Sequence, residues 1–233
     1  GRWDKTVDLQ QCRLCEDSAA SLLAAVRAWA TENSLEYYDL RRHSGFLRHL
    51  VLRRGVNTGR HMVALITAAG ELPGESFLRA VQSVYADATV LWGVNPSVSD
   101  VAASPDLKVL SGEGSIIEKI ILPESGGQPA LETEFKITLR SFFQTNTNAA
   151  ATLYAHVREA ALRSSSGVYF DLYGGSGAIS LMLRGGERRC VCVETVADAV
   201  ADGKINAAAN GARGVEFVNA KVEDYLPSVS ADL

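Results

Sequence analysis

From residue 17 onward the apolar positions Leu22, Leu23, Val26 and Trp29 recur at the spacing of one helical face. Asp17 and Ser18 are residue types that cap helix starts, so the pattern predicts an amphipathic helix reaching Asn33. Strand-like runs follow at 47–53 and 62–67. The stretch between them, Arg54-Gly55-Val56-Asn57-Thr58-Gly59-Arg60, is rich in turn formers and predicts a hairpin with a longer loop. A second helix is expected at 76–86, then strands at 89–94, 115–122 and 132–139. In the last of these Phe135, Ile137 and Leu139 share one face while Lys136 and Thr138 share the other. One-sided strands lying close together favour antiparallel pairing, so residues 10–140 read as an α+β unit with a largely antiparallel sheet.

The pattern then changes. Helical spacing at 146–163, 177–183 and 196–210 alternates with short β-rich runs at 168–173, 189–194 and 215–218. Alternation of this kind implies right-handed crossovers and a parallel sheet, an α/β Rossmann-like arrangement. Three strands make an incomplete sheet, so the second domain is expected to be cut short at Leu233. The expected division is 1–140 and 141–233.

Composition agrees with a folded chain: of 233 residues 47% are hydrophobic and 21% charged, with 23 Lys and Arg against 27 Asp and Glu for a net charge of −4. That excludes intrinsic disorder. Apolar runs such as Met62 to Ile66 fall far short of the roughly 20 residues of a membrane span. The start, Gly1-Arg2-Trp3-Asp4, lacks an initiator Met and any signal-like stretch, so an upstream part is expected to be missing or trimmed. Four cysteines make no disulfide scaffold in a chain this long, and a cytoplasmic setting is expected.

The most informative segment is Phe170-Asp171-Leu172-Tyr173-Gly174-Gly175-Ser176-Gly177-Ala178. A strand that ends on an acidic residue and enters a glycine-rich turn before a helix lets backbone approach a nucleotide-like cofactor closely. Glu194 ends the next strand, where a carboxylate can accept the hydroxyl hydrogens of a ribose. These two features alone fit a nicotinamide or S-adenosylmethionine. Counted from Gly175, the third glycine of a GxGxxG pattern is replaced by Ser180, and that departure favours a cofactor without a pyrophosphate. Upstream, Ser141-Phe142-Phe143-Gln144-Thr145-Asn146-Thr147 places aromatics beside carboxamides, which suits stacking on a flat base as well as a plain strand end leading into a helix cap.

The order SFFQTNT, helix, DLYGGSG, CVCVET and KINAAANGARGVEF, preceded by GFLRHLVLRRGVNTGRHMVALIT, resembles the uracil-C5 RNA methyltransferases, which form 5-methyluridine in transfer or ribosomal RNA. The resemblance implies an S-adenosylmethionine cofactor held by Gln144, Tyr173, Gly175, Gly177 and Glu194, and a target base met by Phe142 and Gln144. Many members carry Cys where this chain has Gly174, and an acidic or amide residue where it has Lys221. The nucleophilic Cys and the Glu base of such enzymes have no match among these residues and are expected beyond Leu233, so the piece alone is expected to be inactive. Some members bind an iron–sulfur cluster, and Cys12 matches one of its four ligands, with the other three expected upstream. Read without the family, Cys12 and Cys15 are a single CxxC, and Cys190 and Cys192 lie on a buried strand as small apolar residues.

Arg41, Arg42, Arg48, Arg53, Arg54 and Arg60 crowd one stretch of an otherwise acidic chain. They form either an RNA-phosphate patch, with Arg53 and Arg54 as its candidate contacts, or a solvated strand face. RNA is the expected partner, with no membrane and no obligate protein partner evident. The competing readings are a non-catalytic RNA-binding module and a nicotinamide-dependent oxidoreductase.

Overall fold

The fold was obtained as a computed structural model that describes residues 10–124, 129–164, 166–185 and 188–229. It divides into two compact units, 1–54 with 60–115 and 55–59 with 116–233. Residues 116–140, assigned to the first domain from sequence, thus group by contacts with the second unit. No helix among the described residues is long and apolar enough to cross a membrane.

In the first unit α1 (Ser18–Glu32) and α2 (Gly74–Gln82) pack on a sheet of β1 (Leu47–Arg54), β2 (His61–Thr67), β3 (Thr89–Val94) and β4 (Leu107–Ser111), in the order β1-β2-β3-β4. Leu22, Val26 and Trp29 of α1 meet Phe77 and Val81 of α2 over Val63, Leu65 and Val90. The Trp29 and Phe77 rings lie 4.9 Å apart, and the Trp29 indole N–H donates to Ser76 Oγ at 2.9 Å. The β1–β2 hairpin is antiparallel as expected, and β3 pairs antiparallel with β4, a strand the sequence pattern does not predict, whereas β2 and β3 run parallel. The helical pattern between those two strands is their crossover, a βαβ unit within the α+β half. β4 escapes the sequence pattern because it is a short edge strand, exposed at Lys108 and Val109, with no apolar face to alternate.

Charge in this unit is spent on internal contacts. Glu16 Oε1 accepts from His61 Nε2 at 2.7 Å and from the Tyr85 hydroxyl at 2.8 Å, while Oε2 lies 3.1 Å from Arg54 Nε. The His61 and Tyr85 rings stack with centroids 4.0 Å apart. Partial burial pushes the Glu16 carboxyl up, but Tyr85, His61 and Arg54 outweigh it and hold the group below the usual carboxylate range. A depressed acid binds fewer protons folded than unfolded, so its stabilisation is complete above the ordinary value of 4.5 and fades as pH falls through the folded value. Glu16→Gln is expected to cost about 1–2 kcal/mol at pH 7 and less as pH drops below 4.5, by urea denaturation across that range.

The second unit holds β5 (Ser115–Leu122), β6 (Leu131–Thr138), α3 (Thr147–Arg163), β7 (Val168–Leu172), α4 (Ala178–Met182), β8 (Arg189–Glu194), α5 (Ala197–Ala209), β9 (Val215–Asn219) and α6 (Val222–Val229). β5 pairs with β6, and β7-β8-β9 form the expected parallel sheet. Asn146 caps α3 by accepting from Ala149 N at 3.0 Å. α5 also covers β6. Asn206 Oδ1 accepts from Lys136 N, and Asn210 both accepts from Glu134 N and donates to its carbonyl, so two asparagines act for β6 as a neighbouring strand would. α6 covers the parallel sheet with Val222 against Val191 and Val193.

Candidate functional site

Parallel α/β sheets bind ligands beyond the carboxyl ends of their strands, where loops replace the ladder. Here those ends bring together Asp171 near the end of β7 with Tyr173 and the glycine turn that follow it, Glu194 at the end of β8, and Asn219 at the end of β9. Asp171 is buried and accepts from Ser180 N at 3.0 Å and from Ser180 Oγ at 2.9 Å. Burial pushes its carboxyl up while Ser180 pulls the other way. Ser180, which replaces the third glycine, is thus the pin that fixes α4 to β7.

The turn itself is built for close approach. Tyr173, Gly175 and Gly177 all have positive φ, at 57°, 57° and 74°, a region that costs an ordinary side chain about 1 kcal/mol or more. Gly177 tolerates nothing larger, since a Cβ there would lie 2.6 Å from the Phe217 ring. At Gly175 the same atom would meet nothing within 4 Å, so the backbone faces open space. The Gly175 N–H donates to Glu194 Oε2 at 3.0 Å, and Glu194 Oε1 accepts from Val196 N at 2.8 Å. Partial burial pushes Glu194 up, and the Val196 and Gly175 N–H groups more than offset it, so the group stays ionised below the usual range. The Thr195 hydroxyl also donates to Oε1, at a long 3.3 Å, and because Glu194 is only partly buried a ribose hydroxyl can compete for that weakly held acceptor position.

Tyr173 is 66% exposed and its hydroxyl donates to Glu223. That hydrogen bond draws the Glu223 carboxyl below its ordinary value. The sequence pattern predicts no helix after β9 and so does not single out Glu223, which α6 places as a carboxylate two residues beyond Lys221. Asn219 Nδ2 donates to the carbonyls of Glu194 at 3.0 Å and Thr195 at 2.9 Å, which fixes the corner after β8.

The segment after β6 lies along the start of α5. Ser141 Oγ donates to Asp202, and Arg140 pairs with Asp198 at 3.6 Å. Phe143 turns inward, 5.4 Å from the Phe135 ring, while Phe142 is 73% exposed and Gln144 is exposed beside it. α5 begins three residues after Glu194, so the segment and the ribose-type acceptor flank the same helix end. The residues present fit S-adenosylmethionine: an open glycine backbone, an ionised acceptor and an exposed ring, with no demand for a phosphate.

Other expected residues are placed as follows. Cys190 and Cys192 are buried on β8, and burial pushes their thiols up to about 11 and about 12, so they are packing residues. Cys12 and Cys15 lie together in the first unit. No group of three metal-ligating side chains occurs among the described residues. Arg48 grips the 95–99 loop through the carbonyls of Asn95, Ser97 and Ser99, Arg42 lies 3.8 Å from Asp39, and Arg54 is shared with Glu16. Arg53 is half-buried, and burial lowers its pKa.

No family model matches the chain. It is 32% identical over 228 residues to an uncharacterized RNA methyltransferase of Halalkalibacterium halodurans, covering 97% of this chain and 48% of that protein. It is 30% identical over 233 residues to another from Caldanaerobacter subterraneus subsp. tengcongensis, covering 98% and 50%. The chain spans about half the length of the curated relatives it matches. Its fold superposes on the crystal structure of the Pyrococcus abyssi tRNA (uracil-54, C5)-methyltransferase in complex with S-adenosyl-L-homocysteine, with a TM-score of 0.77 and 25% identity over 95% of this chain and 51% of that one. Sequence order, glycine turn and fold agree, and over the half of such proteins that it spans this chain belongs to the uracil-C5 RNA methyltransferase family.

Proposed function

We propose that these residues serve an S-adenosylmethionine-dependent enzyme that methylates C5 of uridine in transfer or ribosomal RNA. In this reading 1–140 form an RNA-facing central domain and 141–233 the first half of the cofactor domain. The observation that carries it is the carboxyl-end constellation in which Glu194, ionised and only partly buried, closes on the open backbone of Gly175.

When bound, the cofactor supplies an electrophilic methyl group. Glu194 accepts from its ribose, Gly175 and Gly177 allow backbone to lie against it, and Tyr173 with Glu223 borders it. Gln144 hydrogen-bonds between cofactor and base. Phe142 packs on the target ring, which must leave its stack to expose C5. Uracil C5 attacks an electrophile only after a thiolate has added to C6. Cys190 and Cys192 cannot serve, being buried with raised thiol pKa values, so the thiol comes from outside the residues described in this unit. Arg53 and Arg54 are the proposed RNA contacts of the first unit, Arg54 with part of its charge given to Glu16. An iron–sulfur ligand role for Cys12 belongs to the same proposal.

Calorimetry on the full-length protein tests the cofactor site. Glu194→Ala is expected to weaken S-adenosylhomocysteine binding by about 1–3 kcal/mol, the value of a charge-assisted acceptor. Unchanged affinity would remove Glu194 from the site. Nucleoside analysis of treated RNA, with no 5-methyluridine formed, would reject the reaction.

A further inference from the structure

At the end of the parallel sheet opposite the glycine turn lies a cleft of about 650 Å³. Four arginines line it: Arg158 from the last turns of α3, Arg184 just after α4, Arg188 immediately before β8 and Arg213 just before β9. The remaining lining is aliphatic or glycine, with no carboxylate among the described residues. Arg184 donates to the carbonyls of Leu181 and Glu132 and to the Thr133 hydroxyl, and Arg158 donates to the Pro129 carbonyl. Such neutral acceptors fix the guanidinium groups and leave their charge uncompensated. The guanidinium groups of Arg188 and Arg213 have neither ion pair nor hydrogen-bond partner among the described residues. Neighbouring arginines are treated differently: Arg189 pairs with Glu216 and Arg163 with Glu159.

Burial and then the charge of Arg188 lower Arg158, and burial and then Arg158 lower Arg184, so the three cations sense one another. Gathering like charges in a walled cleft of a chain whose net charge is −4 is unfavourable unless an anion neutralises them. Guanidinium forks match phosphate oxygens two at a time. The six residues of β8 separate Arg188 from Glu194, about 20 Å of extended chain, so the cofactor end does not account for the cleft.

We infer that this arginine-lined cleft binds phosphate groups of the RNA backbone, docking the substrate at a distance from the methyl-transfer end. The inference rests on the RNA-modifying reading above. It is tested in the full-length protein with the double variant R188Q/R213Q, which removes two charges that hold no other described residue in place. Anisotropy of a fluorescein-labelled transfer RNA transcript, titrated between about 50 and 200 mM KCl, should show the slope of log affinity against log salt reduced by about 1.4–1.8 and binding near physiological salt weakened by about tenfold or more. S-adenosylhomocysteine affinity by calorimetry should not change. Wild-type RNA binding with an unaltered slope in the variant would overturn the cleft proposal alone. Inorganic phosphate bound by the wild type and lost in the variant, with RNA affinity unaffected, would overturn it in favour of a small-anion site. A wild-type protein that bound neither RNA nor S-adenosylhomocysteine would overturn the functional reading and the cleft with it.

Discussion

Glu118→Ala is expected to destabilise the second unit by about 3–5 kcal/mol, the cost of removing one partner from a fully buried, multiply bonded charged group. β5 alternates strictly: Ile116, Glu118, Ile120 and Leu122 face inward while Ile117 and Ile121 are exposed. Glu118 is therefore a carboxylate at a core position, with no solvent exposure. Its oxygens accept from Val56 N, from Asn57 N at 3.0 Å, from Lys119 N at 2.8 Å and from Thr147 Oγ1 at 3.0 Å. The loop 55–59 is laid along β5 by this group, assisted by Asn57 donating to the Lys119 carbonyl and Thr58 to that of Ile117. Removing the side chain orphans three backbone N–H groups and a hydroxyl inside the fold, and also opens a cavity. Glu118→Gln keeps the volume but turns an NH2 toward donors, so about 2 kcal/mol is expected to be lost. Urea midpoints followed by far-UV circular dichroism measure both, and a shift equivalent to less than about 1 kcal/mol for the alanine variant would show that water replaces the carboxylate without cost.

The parallel half of the fold was legible because its signals are local. Strand and helix periods alternate within short windows, Asn146 announces the α3 cap it makes, and the glycine turn sits between β7 and α4 where the sequence places it. What the sequence concealed depends on partners distant along the chain. Glu118 looks like a solvated charge until residues 56 and 57 arrive from some 60 positions away. Local density of arginine pointed to 41–60, where Arg48 and Arg54 turn out to be held internally. The arginines with uncompensated charge come singly from the ends of α3, α4 and the loops before β8 and β9, and only folding collects them. The parallel β2–β3 pair was hidden for a related reason, since both strands are buried runs and periodicity alone does not report direction.

Gly174→Cys is expected to cost about 2–4 kcal/mol in this chain, the range for forcing extra atoms into a packed site, although the family resemblance implies Cys at that position in many members. A Cβ at residue 174 would lie 2.4 Å from Cys192 Sγ and 3.0 Å from the carboxyl carbon and Oδ2 of Asp171. Neither neighbour yields easily: Cys192 is fully buried in β8, and Asp171 Oδ2 holds both Ser180 contacts that fix α4. The sulfur that the family resemblance implies for the turn is here supplied from the strand beneath it. Glycine at 174 and cysteine at 192 therefore form one packing solution. Cys192→Ala alone should cost about 1 kcal/mol as a small cavity. With both changes the new thiol occupies the vacated volume, and the double variant should be more stable than Gly174→Cys alone by at least about 1 kcal/mol, a non-additivity found only for residues in contact. Affinity for S-adenosylhomocysteine should follow the same order, falling in Gly174→Cys and recovering in the pair, because the turn that positions Gly175 against Glu194 is displaced and then restored. Denaturation and calorimetry on the four proteins of the cycle decide it: strictly additive stabilities would mean that the turn relaxes away from β8 and that Cys192 does not dictate the glycine.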